Sequence, residues 1–134
     1  MEDLEYIVFL PQRDGAESDK PPYDTMSRDE RRKALINLDR DQIFDSDIFL
    51  FILDGRIPDE GACVELGMAY TNKMRLNVPK FIIGLHTDIR AAFIGSKLNP
   101  MVRLCFDNFV ENEAELFRTL KEVRNKQNIT EPDS

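Results

Sequence analysis

The chain has 134 residues, 42% of them hydrophobic, and a formal net charge of -7 at pH 7. This length fits one domain around a single core, and the hydrophobic content is too high for a wholly disordered chain. The net negative charge, without a run of Lys or Arg, disfavours polymeric nucleic acid and anionic membranes as partners.

The two cysteines and the first ten residues bear on the cell compartment. Cys63 and Cys105 lack a neighbouring Cys or His at metal-ligand spacing, so we expect buried free thiols and no metal site. Residues 1–10 carry acids where a signal peptide needs a basic flank. The longest apolar run is far below the roughly 20 residues that span a bilayer. These features predict a cytoplasmic protein.

The first third of the chain predicts a strand, a long loop and a helix. Residues 6–10 form a β-branched and aromatic run, which is typical of a buried strand. Residues 12–24 are dense in Gly, Pro, Asp and Ser and predict a loop. Ser27, with Glu30 three residues later, predicts the start of a helix that ends near Phe44. Its apolar stripe consists of Ala34, Leu35, Leu38 and Ile43.

Further along, residues 47–53 are continuously apolar after Asp47, as expected for a central parallel strand. The other predicted elements are a helix at 62–73, strands at 80–85 and 102–106, and an amphipathic helix at 113–124 with Leu116, Phe117, Leu120 and Val123 inward.

This alternation predicts an α/β fold with a doubly wound, mostly parallel sheet of four to five strands flanked by helices, flavodoxin-like or Rossmann-like. We expect a single domain over residues 1–126 and a frayed tail at 127–134. Ligands of such folds bind at the carboxyl ends of the strands. That edge is therefore where functional side chains are expected.

Three acids, Asp54, Asp59 and Glu65, follow the predicted strand at 47–53. Glu65 stands out because the surrounding helix is apolar almost all round. The helix macrodipole and the free N–H groups are expected to keep it ionised, as a nucleophile must be. A simple first-turn acid that stabilises the helix fits the spacing equally well.

The order of these residues resembles the nucleoside 2-deoxyribosyltransferase family. The similarity runs from about residue 6 to residue 107 and does not depend on one short motif. Its central block contains Asp39, Ser46-Asp47, Leu53-Asp54-Gly55, Pro58-Asp59-Glu60-Gly61 and Glu65-Leu66-Gly67-Met68-Ala69-Tyr70. The flanking parts are Phe9-Leu10-Pro11-Gln12-Arg13-Asp14-Gly15, Gly84-Leu85-His86-Thr87-Asp88-Ile89-Arg90 and Asn99-Pro100-Met101.

The resemblance implies an enzyme that exchanges bases between 2'-deoxynucleosides without a cofactor. Glu65 takes the position of the nucleophile, and Asp39 and Asp59 the positions that handle the nucleobase and its proton. Asp54 and Gly61 are implied to bind substrate, and Asn99 and Met101 to serve a neighbouring subunit's sugar pocket near the 5'-hydroxyl. A homo-oligomer, at least a dimer, is therefore expected.

Structural roles fit several of these residues too. Asp39 could end a helix, Asp59 could form a turn, Asn99-Pro100 could be a surface turn, and Met101 could lie in the core. The resemblance gives His86, at a strand's carboxyl end, no catalytic role, so we expect a loop or supporting position for it.

Family members usually begin with an additional strand and helix, whose loop forms one wall of the base pocket. This chain starts close to the segment that follows them, so either residues 6–10 replace the missing strand or the pocket is open on one side. An open pocket would admit water and give slow cleavage with some free deoxyribose.

Three hypotheses follow. The chain is a deoxyribosyl transferase, an N-glycosidase that uses water and acts on deoxynucleosides or their 5'-monophosphates, or a non-enzymatic nucleotide- or partner-binding module. A phosphate-binding enzyme would use Ser and Arg residues in the strand-end loops, and Arg13, Ser18 and Arg56 are available.

Overall fold

The computed structural model describes residues 6–10, 21–53, 58–87 and 98–130. Its elements are a 3-10 turn at Tyr23–Thr25, α1 (Arg28–Asp45), β1 (Ile48–Leu53), α2 (Glu60–Leu76), β2 (Phe81–His86), α3 (Pro100–Arg103), β3 (Asn108–Val110) and α4 (Glu113–Thr130). Among these described helices, none is both long and apolar enough to cross a membrane.

The three strands form a parallel sheet in the order β1-β2-β3. The predicted α/β architecture, a parallel sheet flanked by helices as in Rossmann-like folds, is confirmed. The described residues contain three strands, fewer than the four to five expected. The prediction of 47–53 as the central strand is wrong for this sheet, because β2 pairs on both edges. β1 lies at an edge, and its Ile52 is 53% exposed.

Side chains alternate between the two faces of the sheet, so each face has its own apolar cluster. On one face, β1 and β2 pack against α1 and α2 through Ile43, Phe51, Leu53, Leu66, Ala69 and Ile82. On the other face, β2 and β3 pack against α4 through Ile83, Leu85, Val110, Leu116 and Leu120. Residues 12–24 were predicted to form a loop; of these, 12–20 lie outside the described residues.

α1 begins as predicted, at a capping box. The Ser27 hydroxyl accepts the Glu30 amide at 3.2 Å, and the Glu30 carboxylate accepts the Ser27 amide at 3.4 Å. Its predicted apolar stripe is only partly right, because Ile43 is buried whereas Leu35 is 39% exposed. α1 therefore contributes one buried side chain to the core.

The strand predicted at 102–106 is wrong. Asn99 caps a short helix there, its Oδ1 accepting the Met101 amide at 2.9 Å, and Pro100 occupies the first turn. The third strand follows at Asn108–Val110. Just before it, Asp107 makes two hydrogen bonds with Ile82: the Asp107 amide donates to the Ile82 carbonyl at 2.8 Å, and the Asp107 Oδ2 accepts the Ile82 amide at 2.7 Å. These bonds set where β3 begins.

The final helix exists as predicted but extends to Thr130. Leu116, Leu120 and Val123 are buried, whereas Phe117, expected inward, is 36% exposed. The division into a domain at 1–126 and a tail at 127–134 stays a prediction.

The buried strand predicted at 6–10 is not formed. These residues take no strand conformation, and Ile7 is fully exposed. The segment instead contacts α4, because the Tyr6 hydroxyl donates to the Leu120 carbonyl at 2.7 Å and Arg124 lies 5.4 Å from the Tyr6 ring centroid. Aromatic and β-branched residues suit such a covering segment as well as a strand.

Gly84, in the middle of β2, leaves room for two aromatic rings. A Cβ there would lie 2.6 Å from Cδ2 of Phe109 and 3.1 Å from Cε1 of Phe106. The rings cannot retreat easily, because Phe106 stacks on Phe51 and Phe109 stacks on His86, with centroids 5.5 and 5.6 Å apart. A side chain at position 84 would therefore displace this aromatic packing.

We expect Gly84→Ala to lower the free energy of unfolding by about 1–3 kcal/mol through overpacking. The matched control is Gly67→Ala on α2, where a Cβ meets nothing within 4 Å. That variant should gain about 0.5–1 kcal/mol, because Ala favours a helix over Gly. Urea unfolding of both proteins at one concentration checks the difference, and equal stability of the two variants would contradict the aromatic contact.

Candidate active site at the carboxyl edge of the sheet

The first turn of α2 lies where the chain returns from the carboxyl end of β1. Asp59 is the N-cap: its Oδ2 accepts the Ala62 amide at 2.9 Å, and its carbonyl accepts the Cys63 amide at 3.0 Å. The helix consequently begins at Glu60, slightly before the predicted start at residue 62. The cap fixes the Asp59 carboxylate at the N-terminus of α2, and the residue itself is exposed.

Glu65 lies one turn further along α2, beside the buried Leu66, and is half-buried. Its pKa is raised above the ordinary glutamate value, first by burial and then by the negative charges of Asp39 and Asp59. The structure thus brings together the three acids that the sequence singled out as catalytic. Within the described part of the chain, no group of three or more His, Cys, Asp or Glu residues is arranged to hold a metal ion.

The start of the helix does not offset the effects that raise the pKa of Glu65. Glu65 is the sixth residue of α2, so it lies beyond the free N–H groups of the first turn. One of those groups, the amide of Ala62, already donates to Asp59. Loss of water and two like charges therefore outweigh the macrodipole, whose effect is confined to the first turn.

Asp39 reaches the site from α1, which packs against α2. The residue is half-buried, and its Oδ1 is buried with no hydrogen-bond partner among the described residues. Burial raises the pKa of Asp39. A carboxyl group in this position holds a proton more readily than an exposed one.

Of the two residues implied to bind substrate near β1 and α2, Gly61 lies within the described part of the chain. A Cβ on Gly61 would lie 3.2 Å from Oδ2 of Asp59, which is tight. Glycine at position 61 thus leaves room for the Asp59 carboxylate at the helix cap. Asp54 lies outside the described residues, as do Arg13, Ser18 and Arg56.

Asn99 and Met101 lie on α3, away from the core. Met101 is 71% exposed, so the alternative that it fills the core is wrong. Asn99 is exposed and uses its side chain to cap the helix. Within the described ranges, no hydrogen bond or ion pair joins either residue to the three acids.

His86 ends β2, as predicted, and is buried to 5% exposure. Its ring stacks on Phe109, and its Nε2 has no hydrogen-bond partner among the described residues. The residue belongs to the strand rather than to a loop. Its side chain lies on the same sheet face as Ile82, which α2 covers. His86 is therefore at the carboxyl end of β2, the edge of the sheet where the acids are.

Sequence reasoning gave no role to Lys80, the residue before β2. Lys80 is buried to 2% exposure, and its ammonium bonds two carbonyls at the end of α1. The sequence signal was available: a lysine opens an apolar strand, and α1 has no basic residue in its last turn. A buried charge of this kind fixes where α1 lies.

Both cysteines are free and half-buried, less buried than expected. Burial raises the pKa of the Cys63 thiol, and the charge of Asp59 raises it further. Burial also raises the pKa of the Cys105 thiol, with a contribution from Cys63. The Cys105 thiol donates to the Met101 carbonyl, with 3.3 Å between sulfur and oxygen.

The raised pKa of Glu65 makes the stability of the fold depend on pH. Folding favours the protonated carboxyl, so this contribution is complete below the ordinary glutamate pKa and is lost as the pH rises through the raised value. We expect Glu65→Gln to stabilise the protein by about 1 kcal/mol at pH 7. The gain should shrink as the pH falls through the raised value and be gone below the ordinary glutamate pKa.

Urea unfolding at several pH values measures this dependence. Glu60→Gln is the control, because Glu60 is exposed in the first turn of the same helix, where a negative charge is favourable. It should not gain stability at pH 7. A gain for Glu65→Gln that does not change with pH would contradict the buried-acid explanation.

Comparison with known proteins identifies the family of the chain. No curated protein matches the chain significantly. The family model described as nucleoside 2-deoxyribosyltransferase matches residues 1–120, which include all the acids discussed above. The chain therefore belongs to the nucleoside 2-deoxyribosyltransferase family.

Proposed function

We propose that this protein cleaves the N-glycosidic bond of 2'-deoxynucleosides and transfers the sugar to another nucleobase, with Glu65 as the nucleophile. The observation that carries the proposal is the meeting of Glu65 with Asp39 and Asp59 at the start of α2, in a chain of this family. The nucleophile and the proton-handling groups that the reaction needs are then within one small site.

The first half of the proposed reaction forms a covalent intermediate. The Glu65 carboxylate attacks C1' as the bond from C1' to the base nitrogen breaks, and a carboxylic acid gives its proton to the departing base. The transition state resembles an oxocarbenium ion, as in retaining glycosidases. A second base then attacks C1', Glu65 leaves as a carboxylate, and the proton of the incoming base returns to the acid.

The charge pattern supports this division of roles. Glu65 must be ionised to attack, whereas one of its neighbours must be protonated to release the base. Burial raises the pKa of Asp39, which suits a proton carrier. The positive charge that develops at C1' relieves the repulsion that raises the pKa of Glu65. The site is therefore more favourable for the transition state than for the empty enzyme.

Asp59 is the other candidate for proton transfer, and its place at the helix cap supports a fixed geometry. Its Oδ2 is held by the Ala62 amide, which leaves Oδ1 available to a nucleobase. Gly61 would preserve the space beside this carboxylate. Asp54 is proposed to bind substrate on the family resemblance alone.

A cytoplasmic homo-oligomer completes the proposal, because Asn99 and Met101 are exposed on α3 and would serve a neighbouring subunit's pocket. α2 offers a surface for such a contact. Its outward residues Val64, Gly67, Thr71 and Met74 follow helical spacing and are all exposed. Val64 is 60% exposed and Met74 55%, and nothing lies within 4 Å of a Cβ at Gly67. Val64 and Met74 give this strip exposed apolar surface, which suits packing against a second copy of the chain.

We expect Glu65→Gln to reduce cleavage of deoxyinosine on the order of a thousandfold or more, with the fold intact. Liquid chromatography with and without adenine would separate exchanged deoxyadenosine from free deoxyribose. Glu60→Gln, one turn away and exposed, should keep the rate of the unchanged protein. Mass spectrometry of acid-quenched protein should find one deoxyribosyl group on the peptide that contains Glu65.

The outcomes separate the three hypotheses. New nucleoside supports transfer, whereas free deoxyribose without exchange supports an N-glycosidase. Ligand binding without any turnover would favour a binding module. A near-normal rate in Glu65→Gln would remove Glu65 from the role of nucleophile.

The oligomer is tested by Val64→Asp, which places a charge in the α2 strip. We expect light scattering at micromolar concentration to give at least a dimer for the unchanged protein and a monomer for the variant. Ile36→Asp on α1 is the control, because Ile36 is equally exposed, at 60%, but lies on another helix. A monomeric unchanged protein would leave Asn99 and Met101 without a role in a neighbouring pocket.

A further inference from the structure

Lys80 is a buried cation that bonds the end of another element. It lies just before β2, is 2% exposed, and donates to the Ile43 carbonyl at 2.6 Å, the Ser46 carbonyl, and the Ser46 hydroxyl at 3.1 Å. Burial lowers the pKa of Lys80, while Asp47 and Asp45 act in the opposite direction. A buried ammonium is costly unless its donors are used, and here three acceptors take them.

These acceptors belong to the C-terminus of α1. The last carbonyls of a helix lack partners within it and carry partial negative charge, which a cation stabilises. α1 has no basic residue in its last turn. Lys80 supplies that charge from the start of β2, so it fastens the end of α1 to the middle strand of the sheet.

α1 packs against α2 but buries few of its own side chains completely. Ile43 is its one buried residue, and Leu35, Ile36 and Phe44 remain 39%, 60% and 38% exposed. Apolar burial is the main force that seats most helices against a core, and α1 has little of it. The position of α1 consequently depends strongly on the bonds that Lys80 makes.

Asp39 lies one turn before Ile43, so the two side chains share a face of α1. Ile43 packs into the cluster beneath α2, and its carbonyl is an acceptor for Lys80. The buried Oδ1 of Asp39 has no hydrogen-bond partner among the described residues, so no bond at this atom holds the side chain in place. Its distance from Glu65 is therefore set by how α1 is seated.

We propose that Lys80 is a positioning residue of the active site, which holds α1 so that Asp39 lies against Glu65. The catalytic importance of Lys80 rests on the proposed function, whereas its role in placing Asp39 does not. The charged groups that act on Glu65 from the described elements are Asp39 on α1 and Asp59 at the cap of α2. Without Lys80, α1 shifts, Asp39 withdraws and water reaches Glu65, so the pKa of Glu65 falls.

The test measures that pKa directly, by NMR titration of protein labelled with ¹³C at the glutamate side-chain carboxyl. Glu65→Gln assigns the signal, and Asp39→Asn gives the shift expected when the Asp39 charge is lost. We expect Lys80→Met to lower the Glu65 pKa by at least half the Asp39→Asn shift. Lys80→Arg, which keeps a cation for the α1 carbonyls, should restore most of it.

Lys73→Met is the matched control. Lys73 lies on α2 and pairs with Asp107, near the same end of β2 as Lys80, but it has no described hydrogen bond to α1, so its loss should leave Glu65 unchanged. If Lys80→Met does not fold, Ser46→Ala takes its place: it removes one acceptor, leaves Lys80 buried, and should shift Glu65 in the same direction by less.

A Glu65 pKa that stays unchanged in the folded variant, while Asp39→Asn shifts it, overturns the proposal. So does an Asp39→Asn variant that leaves Glu65 unmoved. In an active enzyme, the acid limb of the pH profile of kcat/KM should move to lower pH in Lys80→Met and return in Lys80→Arg. If no cleavage is found, the proposed function fails while the titration still decides the role of Lys80.

Discussion

Repulsion between carboxylates at the carboxyl edge of the sheet is the constraint that the surrounding structure has to accommodate. Asp39, Asp59 and Glu65 come from two helices, and all described charge near Glu65 is negative. Such a cluster opposes folding when it is ionised, so it persists only if other interactions hold the helices in place. The cap at Asp59 and the bonds of Lys80 are interactions of this kind.

The two helices are held in different ways. α2 buries Leu66 and Ala69 against the sheet and needs no buried charge to seat it. α1 buries few side chains completely, and Lys80 bonds its C-terminal end to the start of β2. One wall of the site is therefore fixed by apolar packing and the other by hydrogen bonds. Of the two acids beside Glu65, Asp39 is on the wall that is easier to move.

Local patterns predicted the elements that depend on local rules. The Ser27-Glu30 box, the apolar run of β1 and the helix around Glu65 were all readable from residue types and spacing. The wrong strand at 102–106 shows the limit of this reasoning, because β-branched and aromatic residues also suit a short helix that folds back onto a core. Asn99-Pro100 is the local signal for that helix, but the same pair also suits a surface turn.

Local sequence patterns could not predict the order of the strands or the direction of the Glu65 pKa shift. β1 and β2 are both apolar runs, and only their pairing decides which lies in the middle. The three acids could be identified by resemblance, but the direction of the Glu65 pKa shift depends first on burial and then on charges that include Asp39, a residue of another helix. Lys80 was missed for the same reason, since its acceptors lie more than 30 positions earlier.

The two half-buried thiols bear on how the protein behaves in an oxidising or alkylating solution. Thiols react with peroxide and iodoacetamide mainly as thiolates, and the thiolate fraction falls as the pKa rises. Cys63 and Cys105 both have raised pKa values, and for Cys63 the charge of Asp59 is part of the cause. Burial thus slows the oxidation and alkylation of both cysteines, and for Cys63 a carboxylate of the candidate site adds to the effect.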